Sequence, residues 1–329
     1  MVLSLTLTVV AALFFYGSGL FGLLTPLPFS ILMVRRGIWA ALLAAFLSIF
    51  SLVLAYDLPQ APLSFLPGMV FFPHFTVVGI RNFSLLSFFY YLWIGFSLIF
   101  IGRKVRSMER GVAMAVGSSF LLVLAAIFIF MKVQSVDLVS QGREGIIFAF
   151  QRLAELNPEL SVEEGLKMVD PLIHSLWRLF PSLIISMTLM IVAINLWLLR
   201  RWASGRLFGQ WGDFSLWRLK EQWIWIPILS GGGYLASFYF FPQSAIAWGS
   251  LNILIIAATI SFFQGLAIFH FFLQRRLSPF LRMAVLFFFM IFFQIVMVLL
   301  ILLGLFDFWF DFRREKQVTK GGNEGRSFL

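Results

Sequence analysis

Apolar runs recur along almost the whole chain, separated by short polar or basic stretches. They fall at about 5–24, 26–36, 37–56, 84–102, 111–131, 179–199, 223–241, 247–273 and 283–306. A run of roughly 20 apolar residues spans a bilayer core of about 30 Å as a helix. Pro26 and Pro28 divide the first charge-free stretch, which predicts a helix at 5–24 and a short returning helix at 26–36. Arg35 and Arg36 then snorkel to the interface. The fold class is all-α: a polytopic transmembrane bundle of about eight or nine helices, the return helix included. One membrane domain over 1–312 and a polar, disordered tail over 313–329 complete the expected organisation.

Two stretches depart from this pattern. Between Asp57 and Phe83 lie Pro59, Pro62, Pro67 and Pro73, and the apolar part, 63–80, reads as an interfacial or re-entrant element or as an extra crossing. Segment 137–178 reads as an extracytoplasmic hairpin of two amphipathic helices. The first, about 143–156, carries Ile146, Ile147, Phe150 and Leu153 on one face. The second opens with Ser161 and Glu164 at capping-box spacing. Its apolar stripe is Val162, Leu166, Val169, Ile173, Leu176 and Trp177. It lies over the bundle, or it docks a partner or acts as a lid.

Composition sharpens the membrane reading. The chain has 329 residues, 60% hydrophobic and 12% charged, where soluble domains carry roughly 25% charge. A net charge of +10 in a soluble chain would suggest nucleic acid, but here the basic residues sit in short loops between apolar runs. That distribution orients a protein in a membrane, and nucleic acid is not an expected partner. Basic loops at 103–110, 200–222 and 274–282 belong on the cytoplasmic side and the segments between them outside; of these, 132–178 has five basic and seven acidic residues and 242–246 has no charge. Strict alternation then places the tail after Phe306 outside, although it holds Arg313, Arg314, Lys316, Lys320 and Arg326. With no cysteine, disulfides and thiolate chemistry are excluded.

Candidate chemistry is sparse. Gly17-Ser18-Gly19-Leu20-Phe21-Gly22 fits a dinucleotide fingerprint only in spelling, because a transmembrane run is the wrong context. Helix packing through Ser18 and Gly22, Ala40 and Ala44, and Ala41 and Ala45 explains such small residues better. The three histidines, His74, His174 and His270, have no metal-site spacing, so no metal or cofactor is expected. The predicted span interiors hold no Asp, Glu, Lys or Arg, which argues against a proton pump. Two features could line a ligand. Gly231-Gly232-Gly233 invites either a broken helix or close packing. Asn252, Thr259 and His270 share one helix face, with Gln264 off it and Gln294 on the following span. Interhelical hydrogen bonding is the competing role for that polar set.

Phe263-Gln264-Gly265 through His270-Phe271-Phe272 with Arg275-Arg276, and above all Leu303-Gly304-Leu305-Phe306-Asp307-Phe308-Trp309-Phe310-Asp311-Phe312-Arg313-Arg314, resemble the YybS-like family of bacterial membrane proteins without assigned function. Phe180-Pro181 through Asn195 to Arg200-Arg201 fits the same resemblance, as does Thr25-Pro26-Leu27-Pro28 with Arg35-Arg36-Gly37. The latter stretch is also similar to the opening helices of vitamin-uptake S components and MreD-like proteins. The resemblance implies a multi-pass protein of the bacterial cytoplasmic membrane. By analogy it implies a small-molecule-binding or transport-type subunit, with the bilayer, another membrane subunit or a cytoplasmic energising protein as partners. Two other readings stand beside it. One is a non-catalytic scaffold for envelope assembly, with Asp307, Trp309, Asp311, Arg313 and Arg314 as partner contacts. The other is a lipid-modifying enzyme using Asp307, Asp311 and Arg314 at helical spacing.

Overall fold

The computed structural model describes residues 2–19, 21–57, 77–105, 107–134, 138–156, 162–202, 213–241, 244–276 and 278–313. The expectations for 63–76, for His74, for the cap at Ser161 and for the tail from Arg314 onward lie outside them. Eleven α-helices and no strand occur among the described residues. They are α1 (Val2–Gly17), α2 (Pro26–Arg36), α3 (Ile38–Asp57), α4 (Val77–Lys104), α5 (Met108–Gln134), α6 (Leu138–Leu156), α7 (Val162–Trp202), α8 (Trp225–Phe240), α9 (Ala245–Arg276), α10 (Pro279–Ile291) and α11 (Phe293–Phe310). Six of them, α3, α4, α5, α7, α9 and α11, are long and apolar enough to cross a membrane. The chain is an all-α, multi-pass membrane protein, and its contacts group into two compact units, Met1–Gly212 and Asp213–Leu329.

In the first unit α2 lies at the centre. Proline suits the first helical turn because that N–H has no intrahelical partner, and Pro26 stands there. Leu27, Phe29, Leu32 and Met33 are all buried. The helix ends after Arg36 because Gly37 adopts φ 90°, a conformation that a side chain opposes. Ala41, Ala44 and Ala45 of α3 are buried, as close helix approach requires. Buried hydroxyls tie the bundle together. Ser30 donates toward the carbonyls of Pro26 and Gly95 at 2.9 and 3.0 Å. Tyr16 donates to the Ser84 carbonyl at 2.7 Å. Tyr90 and Thr188 share a hydrogen bond of 2.6 Å between α4 and α7.

Several boundaries differ from the sequence reading. The run at 5–24 is not one helix. α1 stops at Gly17, and the chain turns through Gly19, at φ 65°, into a 3-10 turn at Gly22–Leu24. The Gly17–Gly22 fingerprint therefore sits in a turn, not in a span. α4 begins at Val77, so the end of the 63–80 element is helical and continuous with the next span.

The 137–178 insertion is a hairpin whose second helix does not stop before the next span. Its second helix and the 179–199 span form one helix, α7, of 41 residues and about 60 Å. Pro171 and Pro181 lie inside it, and each forfeits one backbone hydrogen bond. α6 folds back along the N-terminal part of α7. Arg143 pairs with Asp170 at 2.6 Å. Gly165 leaves room for the Phe150 ring, which would stand 2.9 Å from a Cβ there. Advancing along α6 from 143 to 150 moves back along α7 from 170 to 165, so the two are antiparallel. Val169 and Ile173 of the expected stripe are buried, whereas Leu176 and Trp177 are each 43% exposed.

In the second unit α8 runs unbroken through Gly231–Gly233. The 283–306 run is two helices, α10 and α11, broken at Phe292 with φ −105° and ψ 31°. Ser278 caps α10 by accepting from the Leu281 amide at 3.4 Å, with Pro279 following. α10 and α11 both run back along α9. Arg282 donates to the Gln274 carbonyl, the Phe269 and Phe289 rings meet at 5.9 Å, and Leu300 lies against Gly265.

Candidate functional site: a buried polar clasp on α9 and α11

Asp307, wholly buried near the end of α11, is at the centre of a polar cluster in the second unit. A carboxylate faces the negative end of its own helix dipole there, so it needs positive partners. Its Oδ2 receives the Arg313 guanidinium at 2.6 Å and the Gln264 Nε2 at 3.0 Å. Its Oδ1 accepts from the Phe312 amide at 3.1 Å. The Arg313 side chain is itself only 7% exposed. It donates further to the carbonyls of Trp217 and Ser215, at 2.5 and 3.2 Å. Arg218 pairs with Asp311 at 3.2 Å and reaches the Asp307 carbonyl at 3.4 Å. The segment 213–218 adopts the required shape because Asp213 caps a 3-10 turn, accepting from the Ser215 amide at 3.1 Å.

Two conformational facts bring these groups together. Asp311 takes a left-handed conformation, φ 42° and ψ 63°, so the chain reverses and returns Arg313 to Asp307. Asp tolerates that region better than most residues. Second, α9 and α11 cross with their backbones in contact. A Cβ on Gly265 would stand 1.9 Å from the Leu300 carbonyl oxygen, and one on Gly304 would stand 2.0 Å from that of Ser261. No side chain fits at either position. The crossing places Gln264 beside Asp307.

The candidate span of α11 extends to Phe310, past the 283–306 run of the sequence reading, and takes in Asp307 in its last turn. Asp307, Asp311 and Arg313 gather in the clasp, whereas Trp309 points outward at 61% exposure and Arg314 lies outside the described residues. The other polar candidates sit elsewhere. Asn252 donates to the Trp248 carbonyl and Thr259 to that of Ile255, each four residues back on α9. His270 meets Gln274 at 2.9 Å. Gln294 is exposed at the start of α11. In α8, Gly233 makes the close approach, since a Cβ there would stand 2.9 Å from Ser250 Oγ; Gly231 faces Leu254 more loosely and Gly232 has open space.

A shallow crevice beside the clasp is lined by Leu219, Trp223, Pro227, Ala257, Ser261 and Phe308, among others. It brings the start of α8, the middle of α9 and the end of α11 to one level. Sequence reasoning missed the clasp members Arg218, Gly265 and Gly304. The signal was a glycine inside each of two apolar runs, Gly265 with Gly249 in the first and Gly304 alone in the second.

A second polar locus lies at the turn between α1 and α2. Asn195 of α7, fully buried, donates to the carbonyls of Leu23 and Ile191, both at 2.7 Å. Its Oδ1 and the hydroxyl of the equally buried Thr25 have no partner among the described residues.

No curated protein and no solved structure matches the chain. The model of one family does, over residues 64–308. That range takes in Asn195, Gln264, Gly265, Gly304 and Asp307, while Thr25–Gly37 and Trp309–Arg314 fall outside it. The match extends over well more than half of the chain, so this protein belongs to DUF2232, a family of predicted membrane proteins of unknown function.

Proposed function

We propose that the chain is a non-catalytic membrane scaffold that presents the α6–α7 hairpin to a partner in envelope assembly. The observation that carries this reading is the unbroken α7. A bilayer core takes up about 20 helical residues, and α7 has 41. With Arg200 and Arg201 held at one interface, the N-terminal portion stands beyond the opposite one, braced by α6. The basic ends of α4 and α7 make the hairpin's side extracytoplasmic. A helix shared between span and arm ties the arm's orientation to the membrane domain, which suits a docking platform. Leu172, Leu176 and Trp177 supply apolar surface on that arm. A photoreactive residue at 172 or 176 should crosslink to one polypeptide in intact membranes, and Trp177→Ala should abolish the adduct without lowering the melting temperature. Crosslinks to lipid alone would overturn the scaffold reading.

A second reading is supported by the Thr25–Asn195 locus. Unpartnered buried polar atoms are costly, and a small neutral ligand could satisfy them, as in a transport-type or S-component-like subunit. Gly231, Gly232, Gly233, Asn252, Thr259, Gln264, His270 and Gln294 are further lining candidates under that reading. It requires a small molecule that co-purifies with the wild type and is lost in Asn195→Leu.

A further inference from the structure

In the first unit the helix ends gather charge of one sign. The contact of Tyr90 with Thr188, and those of Gly95 and Asn195 with the two flanks of the α1–α2 turn, show that α4 and α7 run parallel. Met33, Ile101, Met108, Val112 and Leu199 pack in one cluster, so the ends of α2, α4 and α7 and the start of α5 share one end of the bundle. Exposed around it are Arg35, Arg36, Arg103, Lys104, Arg110 and Arg201, with Glu109 the one acidic side chain among these described helix ends. Three helix C-termini contribute partial negative charge there, which offsets part but not all of six cations.

We infer that this end of the first unit is a binding ring for anionic phospholipid headgroups. Two further observations favour lipid over an acidic protein. Trp39 is 81% exposed at the start of α3, and Trp202 is 53% exposed at the end of α7. Exposed indoles beside cations mark the headgroup level of a bilayer. Lys104 also folds over the Phe100 ring at 4.4 Å, keeping its ammonium at the edge of the apolar surface rather than out in water. A ring of guanidinium groups at that depth matches phosphate oxygens with two N–H donors each.

The test uses the full chain in detergent, supplied with equal amounts of phosphatidylglycerol and phosphatidylcholine. Lipid retained through gel filtration is quantified by mass spectrometry. The ring should retain phosphatidylglycerol roughly tenfold over phosphatidylcholine at low salt, and the preference should fall as ionic strength rises from about 0.01 M to about 1 M. The quadruple variant R35Q/R36Q/R103Q/K104Q should lose it, whereas R35K/R36K/R103K should keep most of it. Equal retention of the two lipids by the wild type, a preference insensitive to salt, or retention of an acidic polypeptide in place of lipid would overturn the inference. The wild-type salt series decides the matter even if the quadruple variant fails to fold.

Discussion

At the residue scale, the pair Asp307–Arg313 is where a single atom matters most. Removing one partner of a buried ion pair leaves a charge without compensation and costs about 3–5 kcal/mol. Asp307→Ala and Arg313→Ala should each destabilise the second unit by that amount in a denaturant titration. The double variant should cost less than the sum, because no lone charge remains. Gly265→Ala and Gly304→Ala act differently. Each sets a methyl group inside a carbonyl oxygen's radius, so α9 and α11 must separate, and the unit should lose its folding transition rather than shift it. The pair was not legible in the sequence for a geometric reason. Positions 307 and 313 are six apart, which on a continuous helix places them on different faces. Only the left-handed turn at Asp311 closes the distance, and Asp311 itself reads as an ordinary polar residue. Asp307, Asp311 and Arg314 look instead like a helical triplet, and that appearance suggested catalysis.

At the element scale, the helix map shows which signals were local. α2 starts at Pro26 and ends at Gly37, both visible as residue types with one backbone preference. The fusion of the arm with the span in α7 was less visible, because the amphipathic stripe ending at Trp177 and the apolar run from 179 read as separate segments, with Pro171 and Pro181 on either side of the junction. Their flanking turns hold instead, helped by Ser175 donating to the Pro171 carbonyl at 2.8 Å. The break at Phe292 carries neither glycine nor proline, and nothing in the local sequence marks it. The continuity of α7 has a direct measure. The chain lacks cysteine, so spin labels at Lys167→Cys and Met187→Cys need no background substitution. A straight helix separates those backbones by about 30 Å, with a single narrow distance distribution. A hinge at either proline would shorten or broaden it.

At the scale of the whole molecule, sequence and structure divide the work differently. Membrane class followed from composition and run length alone. The grouping into two units did not, since apolar runs look alike whichever neighbours they choose. Sidedness is where the two disagree. Strict alternation puts the end of α11 on the opposite side from 200–222, yet Arg313 bonds to the carbonyls of Ser215 and Trp217. The bent pair α10–α11 therefore does not act as the one simple crossing that alternation counts. Cysteines introduced at Asp213 and Phe312 should react with an impermeant thiol reagent from the same face of the membrane. Labelling from opposite faces would mean that the clasp does not form in the bilayer.

The position of Arg313 also has a consequence for biosynthesis. Asp307 enters its buried site with α11, but its guanidinium partner is translated six residues later. A chain that ends before Arg313 would leave the Asp307 carboxylate buried beside Gln264 without its cation. A stop codon after Phe312 should therefore yield a chain that membrane proteases remove, whereas one placed after Arg313 should accumulate to near full-length levels. Pulse–chase labelling of the two truncations would reveal whether survival of the finished chain turns on that one arginine.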